Sequence, residues 1–220
     1  MSPEILSYAS VLHLSRSDVK VLGIRDAYSL HKVVFGLFED VRSESDKKNS
    51  VPSGIVYADK GGDSSSRRIL ILSDRKPHQT PQFGKVEIKP VPITFLGGDR
   101  YVFEVTINPG KRNKETGKVA PVVGRESIRR WFLDRAPLSW GFSVCSQNFE
   151  IVRTGVQTFE KFGQTVTHGS ATLKGELTVV DRSRFVTSFK NGIGRGRAFG
   201  FGLLQIVPVV TSLTQSNKGA

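Results

Sequence analysis

The stretch that most limits what this chain can fold into is Gly192 to Leu204, GIGRGRAFGFGLL. Five glycines in thirteen residues deny it a helix or an unbroken strand, because glycine loses more backbone freedom on ordering than any other residue. Glycines also let backbone N–H groups approach an anion, and Arg195 and Arg197 set fixed positive charge beside them. The run lacks the Lys-Ser/Thr ending of a nucleotide P-loop, and its first glycines do not follow a strand. Neither mononucleotide nor dinucleotide binding therefore fits. What remains is a loop shaped to hold a nucleic-acid backbone, with Gly192, Gly194 and Gly196 as its cradle. A tight helix-to-strand connection is the alternative.

The rest of the chain agrees with a polyanionic partner. Its 220 residues leave room for one large or two small domains, and 38% hydrophobic content suffices for ordinary cores. The net charge of +12 favours nucleic acid over an anionic membrane surface. Residues 1–96 carry 14 Lys and Arg against 11 Asp and Glu, whereas residues 97–220 carry 18 against 9, so the second half is the expected seat of the electrostatic footprint. No run of 18 apolar residues exists to span a bilayer, and the N-terminus has no charged-then-apolar secretory pattern. The single cysteine, Cys145, excludes an intrachain disulfide and a cysteine-rich metal site, and is expected to be a small buried hydrophobe. A cytoplasmic protein with no membrane partner is expected.

The order of elements predicts an α+β fold of two tandem ferredoxin-like (RRM-like) domains, residues 1–96 and 97–220, meeting at Gly97-Gly98. In the first, Ser7–Leu14 reads as a strand and Asp26 caps a helix over Ala27–Phe38. Ser43–Ser53 reads as loop. Gly54–Ala58 and Arg68–Ser73 read as strands joined by the turn KGGDSSS, with a further short strand at Lys85–Lys89. The second helix of this unit is poorly signalled. In the second domain, Arg100–Asn108 reads as a strand, PGKRNKETGK as a basic loop, and Arg125–Arg135 as a helix ended by Pro137. Two strands follow, Glu150–Phe159 and Thr165–Val180, around a turn at Phe162-Gly163. Asp181 then caps a helix to Lys190, and a strand over Ala198–Val207 follows the glycine loop. The last ten residues are expected to fray.

On the first helix, Ala27, Leu30, Val33, Val34, Leu37 and Phe38 share one side at 100° per residue. Tyr28, Lys32 and Phe35 point the other way, and His31 lies at the edge, three residues from Tyr28. An ordinary half-exposed histidine is one reading of this pattern. The other is a site that cleaves RNA by attack of its own 2′-OH. That reaction needs no metal; it needs proton transfer, which histidine supplies near neutral pH, and positive charge at the phosphate. No paired acids or His/Cys ligand spacing point to a metal-dependent route. His13, His78 and His168 are weaker candidates. Lys111, Arg112, Lys114 and Lys118, with Arg125, Arg129 and Arg130 on the helix, could line a phosphate track or a solvated face. Phe159 and Phe162 flank Lys161, where they could stack on bases or pack in the core.

These pieces together resemble the CasE family, the CRISPR repeat endoribonucleases of type I-E Cascade complexes. The likeness runs almost end to end: DAYSLHKVVFGLF at Asp26–Phe38, INPGKR at Ile107–Arg112, IRRWF in the following helix, LKGELTVVD at Leu173–Asp181, and NGIGRGRAFGFGLL. The resemblance implies two ferredoxin-like domains and metal-independent cleavage at the base of a CRISPR repeat hairpin RNA, leaving 5′-OH and 2′,3′-cyclic phosphate ends, with no metal and no small-molecule cofactor. It implies His31 as the catalytic histidine, Tyr28 as its partner, and Lys161 on a basic hairpin beside the cut, a hairpin that reads as short here. Ala27 stands where the family has proline, a change the first helical position tolerates. It further implies that the processed RNA is kept and that other Cascade subunits are partners. Lys111, Arg112, Arg125, Arg129, Lys161, Arg195 and Arg197 are the expected RNA contacts. The alternatives are a non-catalytic RNA-binding subunit of the same fold and a general basic RNA-binding module.

Overall fold

The computed structural model describes residues 3–49, 51–62, 66–78, 81–113 and 115–209. Lys114 of the basic loop, residues 63–65 of the expected KGGDSSS turn and the last ten residues lie outside them.

The molecule is a mixed α+β structure built on two antiparallel sheets. The first half runs β1 (Ile5–Ser15), α1 (Arg16–Val21), α2 (Ala27–Phe35), α3 (Glu44–Lys48), β2 (Ile55–Gly62), β3 (Ser66–Ser73) and β4 (Lys85–Pro92). Its sheet has the order β2-β3-β1-β4. The second half runs β5 (Arg100–Ile107), β6 (Gly110–Arg112), β7 (Val119–Pro121), α4 (Arg125–Arg135), β8 (Phe142–Val144), β9 (Glu150–Lys161), β10 (Gln164–Val179), α5 (Arg182–Asn191) and β11 (Gln205–Pro208). Its sheet has the order β11-β5-β10-β8, with β9 also paired to β10. Alternation along β5 explains its central place: Tyr101, Phe103, Val105 and Ile107 all point into the core.

One large apolar cluster joins the halves. Val56, Leu72, Val91 and Leu96 pack into the same core as Phe103, Phe132, Trp140, Phe185 and Leu204. A smaller cluster seats α2 on the first sheet through Leu30, Val34, Leu12 and Ile69. Polar ties add to the junction: the Lys60 ammonium pairs with Glu104 and also reaches Gln205 Oε1 at 3.2 Å.

Several sequence expectations change. Helix α2 begins as expected, with Asp26 accepting from Ser29 N–H at 2.7 Å and Ser29 Oγ accepting from the Asp26 N–H at 2.9 Å. It ends at Phe35 rather than Phe38, because Leu37 and Phe38 bond three residues back instead of four. The short helices α1 and α3 were not anticipated. Each starts at a serine with aspartate three residues on, Ser15 with Asp18 and Ser43 with Asp46, a reciprocal cap the sequence carries openly. The PGKRNKETGK stretch is not a plain loop: it opens with β6, which pairs with β7 just beyond it in a small hairpin. Pro137 does not stop the chain turning: a five-residue π-type turn, Ala136–Trp140, follows α4. The expected strand over Ala198–Val207 shrinks to β11, since Gly200 and Gly202 both sit at φ +85°, outside strand geometry. Cys145 is exposed, not buried, because it lies where β8 gives way to a short 3₁₀ turn at the surface.

The hairpin that reads as short is long, with strands of 12 and 16 residues. Its two strands fall close to the bounds the sequence gives, Glu150–Phe159 and Thr165–Val180, with β9 running on by two residues to Lys161.

Candidate functional site

Three separate segments converge on one patch: the outer face of α2, the tip of the β9–β10 hairpin, and the glycine loop between α5 and β11. From α2 come Tyr28, His31 and Phe35. The Tyr28 and His31 rings lie 6.1 Å apart and nearly parallel, at 11°, as their i,i+3 spacing allows. Phe35 stands 4.2 Å from His31. From the glycine loop comes Phe199, 5.6 Å from His31. From the hairpin come Phe159, 4.6 Å from Phe199, and Lys161, whose ammonium lies 5.5 Å from the rings of both Phe162 and Phe199.

His31 is half-buried in this aromatic setting, and its Nδ1 has no hydrogen-bond partner among the described residues. Burial is the main force holding its pKa below the usual 6.5, with the charges of Lys161, Arg42 and Lys32 acting in the same direction and the Ala198 carbonyl opposing them. A neutral imidazole near neutral pH, with an ammonium close by, can accept a proton while positive charge steadies a phosphate.

Two further residues belong to the patch: His168, only a weaker candidate in the sequence, and Tyr57, to which the sequence did not point. His168 on β10 packs 5.5 Å from Phe199 and 5.5 Å from Phe159. Its pKa too is lowered, first by burial and then by Arg195. Tyr57 on β2 is fully buried beneath the glycine loop and donates its hydroxyl to the Ala198 carbonyl at 3.1 Å, which fixes the loop over the first sheet. Neither carries a local signal, since each joins the site only through the packing of distant segments.

The glycine loop owes part of its composition to packing. A Cβ on Gly192 would lie 2.8 Å from Val56 Cγ2, and one on Gly202 would strike the Ile193 carbonyl oxygen. Gly194, at φ +74°, faces open space. Gly196 is held at φ +75° with a Cβ position 2.8 Å from the Phe201 ring. Arg197 turns inward, donating to the Asn191 carbonyl at 3.0 Å, whereas Arg195 is exposed. Both border a cleft of about 320 Å³ with Asn108, Arg135 and Asn191.

The remaining cations stand apart from His31. Lys111 and Arg112 are exposed on β6, and Arg112 donates to the Gly117 carbonyl at 3.1 Å. Arg125 bonds the Ile151 carbonyl, and Arg129 bonds those of Phe149, at 2.8 Å, and Ser146. These two guanidiniums fasten α4 to the start of β9. The tryptophan-bearing IRRWF segment supplies core, not site: Trp131 and Phe132 pack against Trp140.

The two-sheet α+β architecture is that of known RNA-processing proteins. Over 92% of this chain and 99% of the other, it matches the structure of a CRISPR endoribonuclease Cse3 bound to 19 nt RNA, at TM-score 0.74 and 19% identity. It matches Cas6e from Escherichia coli str. K-12 at TM-score 0.67 and 19% identity, over 92% of this chain and 100% of that one. A chain of a CRISPR RNA-guided surveillance complex matches at TM-score 0.64 and 16% identity, again over 92% and 100%. In sequence, the CRISPR-associated endoribonuclease Cse3 of Thermus thermophilus is 30% identical over 131 residues, 54% of this chain and 61% of that relative, which is less than two thirds of its length. The profile of the family described as CRISPR associated protein matches residues 7–208. The chain belongs to this family of CRISPR-associated proteins. Among the described residues, no helix is long and apolar enough to cross a membrane.

Proposed function

We propose that this chain is a metal-independent endoribonuclease that cuts CRISPR precursor RNA at the base of the repeat hairpin, leaving 5′-OH and 2′,3′-cyclic phosphate ends. The observation that carries the reading is the convergence of Tyr28, His31 and Lys161, from two segments far apart in sequence, around Phe199 of the glycine loop. His31 takes the proton of the 2′-OH. The 2′ oxygen bonds to phosphorus, the bond to the 5′ oxygen breaks, and that oxygen takes up a proton. Tyr28 positions the reacting groups beside His31, and Lys161 offsets the charge that builds on the phosphate. No step needs a metal or a small-molecule cofactor.

The tandem ferredoxin-like reading is supported by strand order. In each half the first strand is central, and the last strand pairs outside it: β2-β3-β1-β4, then β9-β10-β5-β11. We take residues 1–96 as the domain carrying the catalytic helix and residues 97–220 as the domain carrying the basic surface. No helix joins β3 to β4 among the described residues, so the first unit is pared down. For RNA contact the exposed Arg195 and Lys111 fit best. Arg112, Arg125, Arg129 and Arg197 keep part of their guanidiniums on backbone carbonyls and would shape the surface as much as bind it. On this reading the chain keeps the cut RNA as a Cascade subunit and acts in the cytoplasm; it shares its fold with a chain of a CRISPR RNA-guided surveillance complex.

The test is cleavage of repeat hairpin RNA in EDTA, comparing wild type with His31→Ala. Wild type is expected to give one cut ending in a cyclic phosphate, while the variant binds the hairpin and leaves it intact. A wild type that binds tightly and never cuts would overturn the enzyme reading in favour of an RNA-binding subunit.

A further inference from the structure

The hairpin tip holds an aromatic residue that neither the core nor the turn requires. Phe162 is 86% exposed, whereas Phe159, three residues earlier on the same hairpin, is 3% exposed and belongs to the packed patch. Lys161 and Gln164 pair directly, so the connection is the two-residue turn Phe162-Gly163. Phe162 sits at φ +51° and Gly163 at φ +74°. Two central residues in the left-handed region suit Asn-Gly or Gly-Gly, and a bulky side chain there is strained. Phe162 is the one non-glycine residue at positive φ among the described residues. The strain is tolerated at a tip where asparagine would relieve it, which points to a use for the ring itself.

We propose that Phe162 is a stacking platform for a nucleobase flanking the scissile phosphate. The inference rests on the RNA-cleavage reading above and adds a recognition residue to it. The Lys161 ammonium lies 5.5 Å from the Phe162 ring, and Tyr28 meets that ring in a T-shaped contact at 6.2 Å. Most of the ring stays open, leaving room for a flat ligand. Every nucleobase offers a π face, so such a platform binds without reading sequence. A cation against the same ring is placed to meet the phosphate of the stacked nucleotide. A single ring, Tyr28, separates Phe162 from His31. A base held on Phe162 therefore anchors the strand next to the proton-transfer group and limits where the backbone can lie.

The experiment pairs protein and RNA changes. Repeat hairpin RNA is compared with two versions carrying an abasic nucleotide on one or the other side of the cut, against wild type, Phe162→Asn and Phe162→Trp. Asparagine suits the turn, so the thermal midpoint of Phe162→Asn is expected to equal or exceed that of wild type. On intact RNA this variant is expected to bind about tenfold more weakly, and Phe162→Trp within about twofold of wild type. One abasic RNA should cost wild type about the same factor and cost Phe162→Asn nothing further. If Phe162→Asn binds and cuts intact RNA as wild type does, the platform is wrong while the endoribonuclease stands. Equal abasic losses in both proteins overturn it too, as does a loss confined to assembly with another protein. A wild type that neither binds nor cuts the hairpin ends both readings.

Discussion

At the scale of single residues, the lowered pKa of His31 ties activity and stability to pH. Burial and the surrounding cations disfavour the imidazolium in the folded protein. The unfolded chain takes up this proton near the ordinary value of 6.5, and the folded chain only at lower pH. The contribution of His31 to stability is therefore complete above about pH 6.5 and is lost as pH falls through the folded value. His168 adds a contribution of the same sign. Urea midpoints measured from pH 7.5 down to 5 should fall, and His31→Gln should flatten part of that fall. If His31 works as the base, the acid limb of cleavage against pH lies below 6.5. Lys161→Ala should move that limb upward without carrying it past 6.5, because burial, the larger cause, remains. The Tyr28–His31 pair was legible in the sequence because three residues on a helix fix a shared face. The roles open to Phe159 and Phe162 were not, since flanking a lysine does not say which ring is buried.

At the scale of elements, the glycine loop serves two demands that composition alone could not separate. Gly192 and Gly202 close the loop on itself: Ile193 N–H donates to the Gly202 carbonyl at 2.9 Å, and Gly202 N–H donates to Thr106 at 2.7 Å. Gly202→Ala forces both a left-handed alanine and a collision with the Ile193 carbonyl, and should cost about 3 kcal/mol or more. Gly194→Ala meets open space and should cost only the conformational part, about 1–2 kcal/mol. Equal losses in chemical denaturation would show that close packing does not distinguish the two positions. Helix starts were legible at Asp26 and Asp181, which precede long apolar-faced helices, but not at Ser15 and Ser43, whose caps open helices of only six and five residues. The two strands of the β9–β10 hairpin were legible as well, to within two residues at the tip.

At the scale of the whole molecule, the two halves share a core. Val56, Leu72, Val91 and Leu96 sit in the same apolar cluster as Trp131 and Trp140, and Tyr57 and Lys60 of the first half bond Ala198 and Glu104 of the second. Both tryptophans lie in the second half, so their fluorescence reports on it alone, while far-UV circular dichroism sees both sheets. Thermal transitions followed by the two probes should coincide; separated midpoints would show that the halves melt independently. The sequence by itself determined the α+β order of elements, the basic second half, the caps, and the helix that sets His31 beside Tyr28. These are local or additive properties, written in neighbouring residues. Only the tertiary structure decided that Lys161 and Phe199 close around His31, that His168 and Tyr57 belong to the same patch, and that Arg125, Arg129 and Arg197 turn toward backbone carbonyls. Those outcomes depend on how segments distant along the chain pack together, and no local spacing records them.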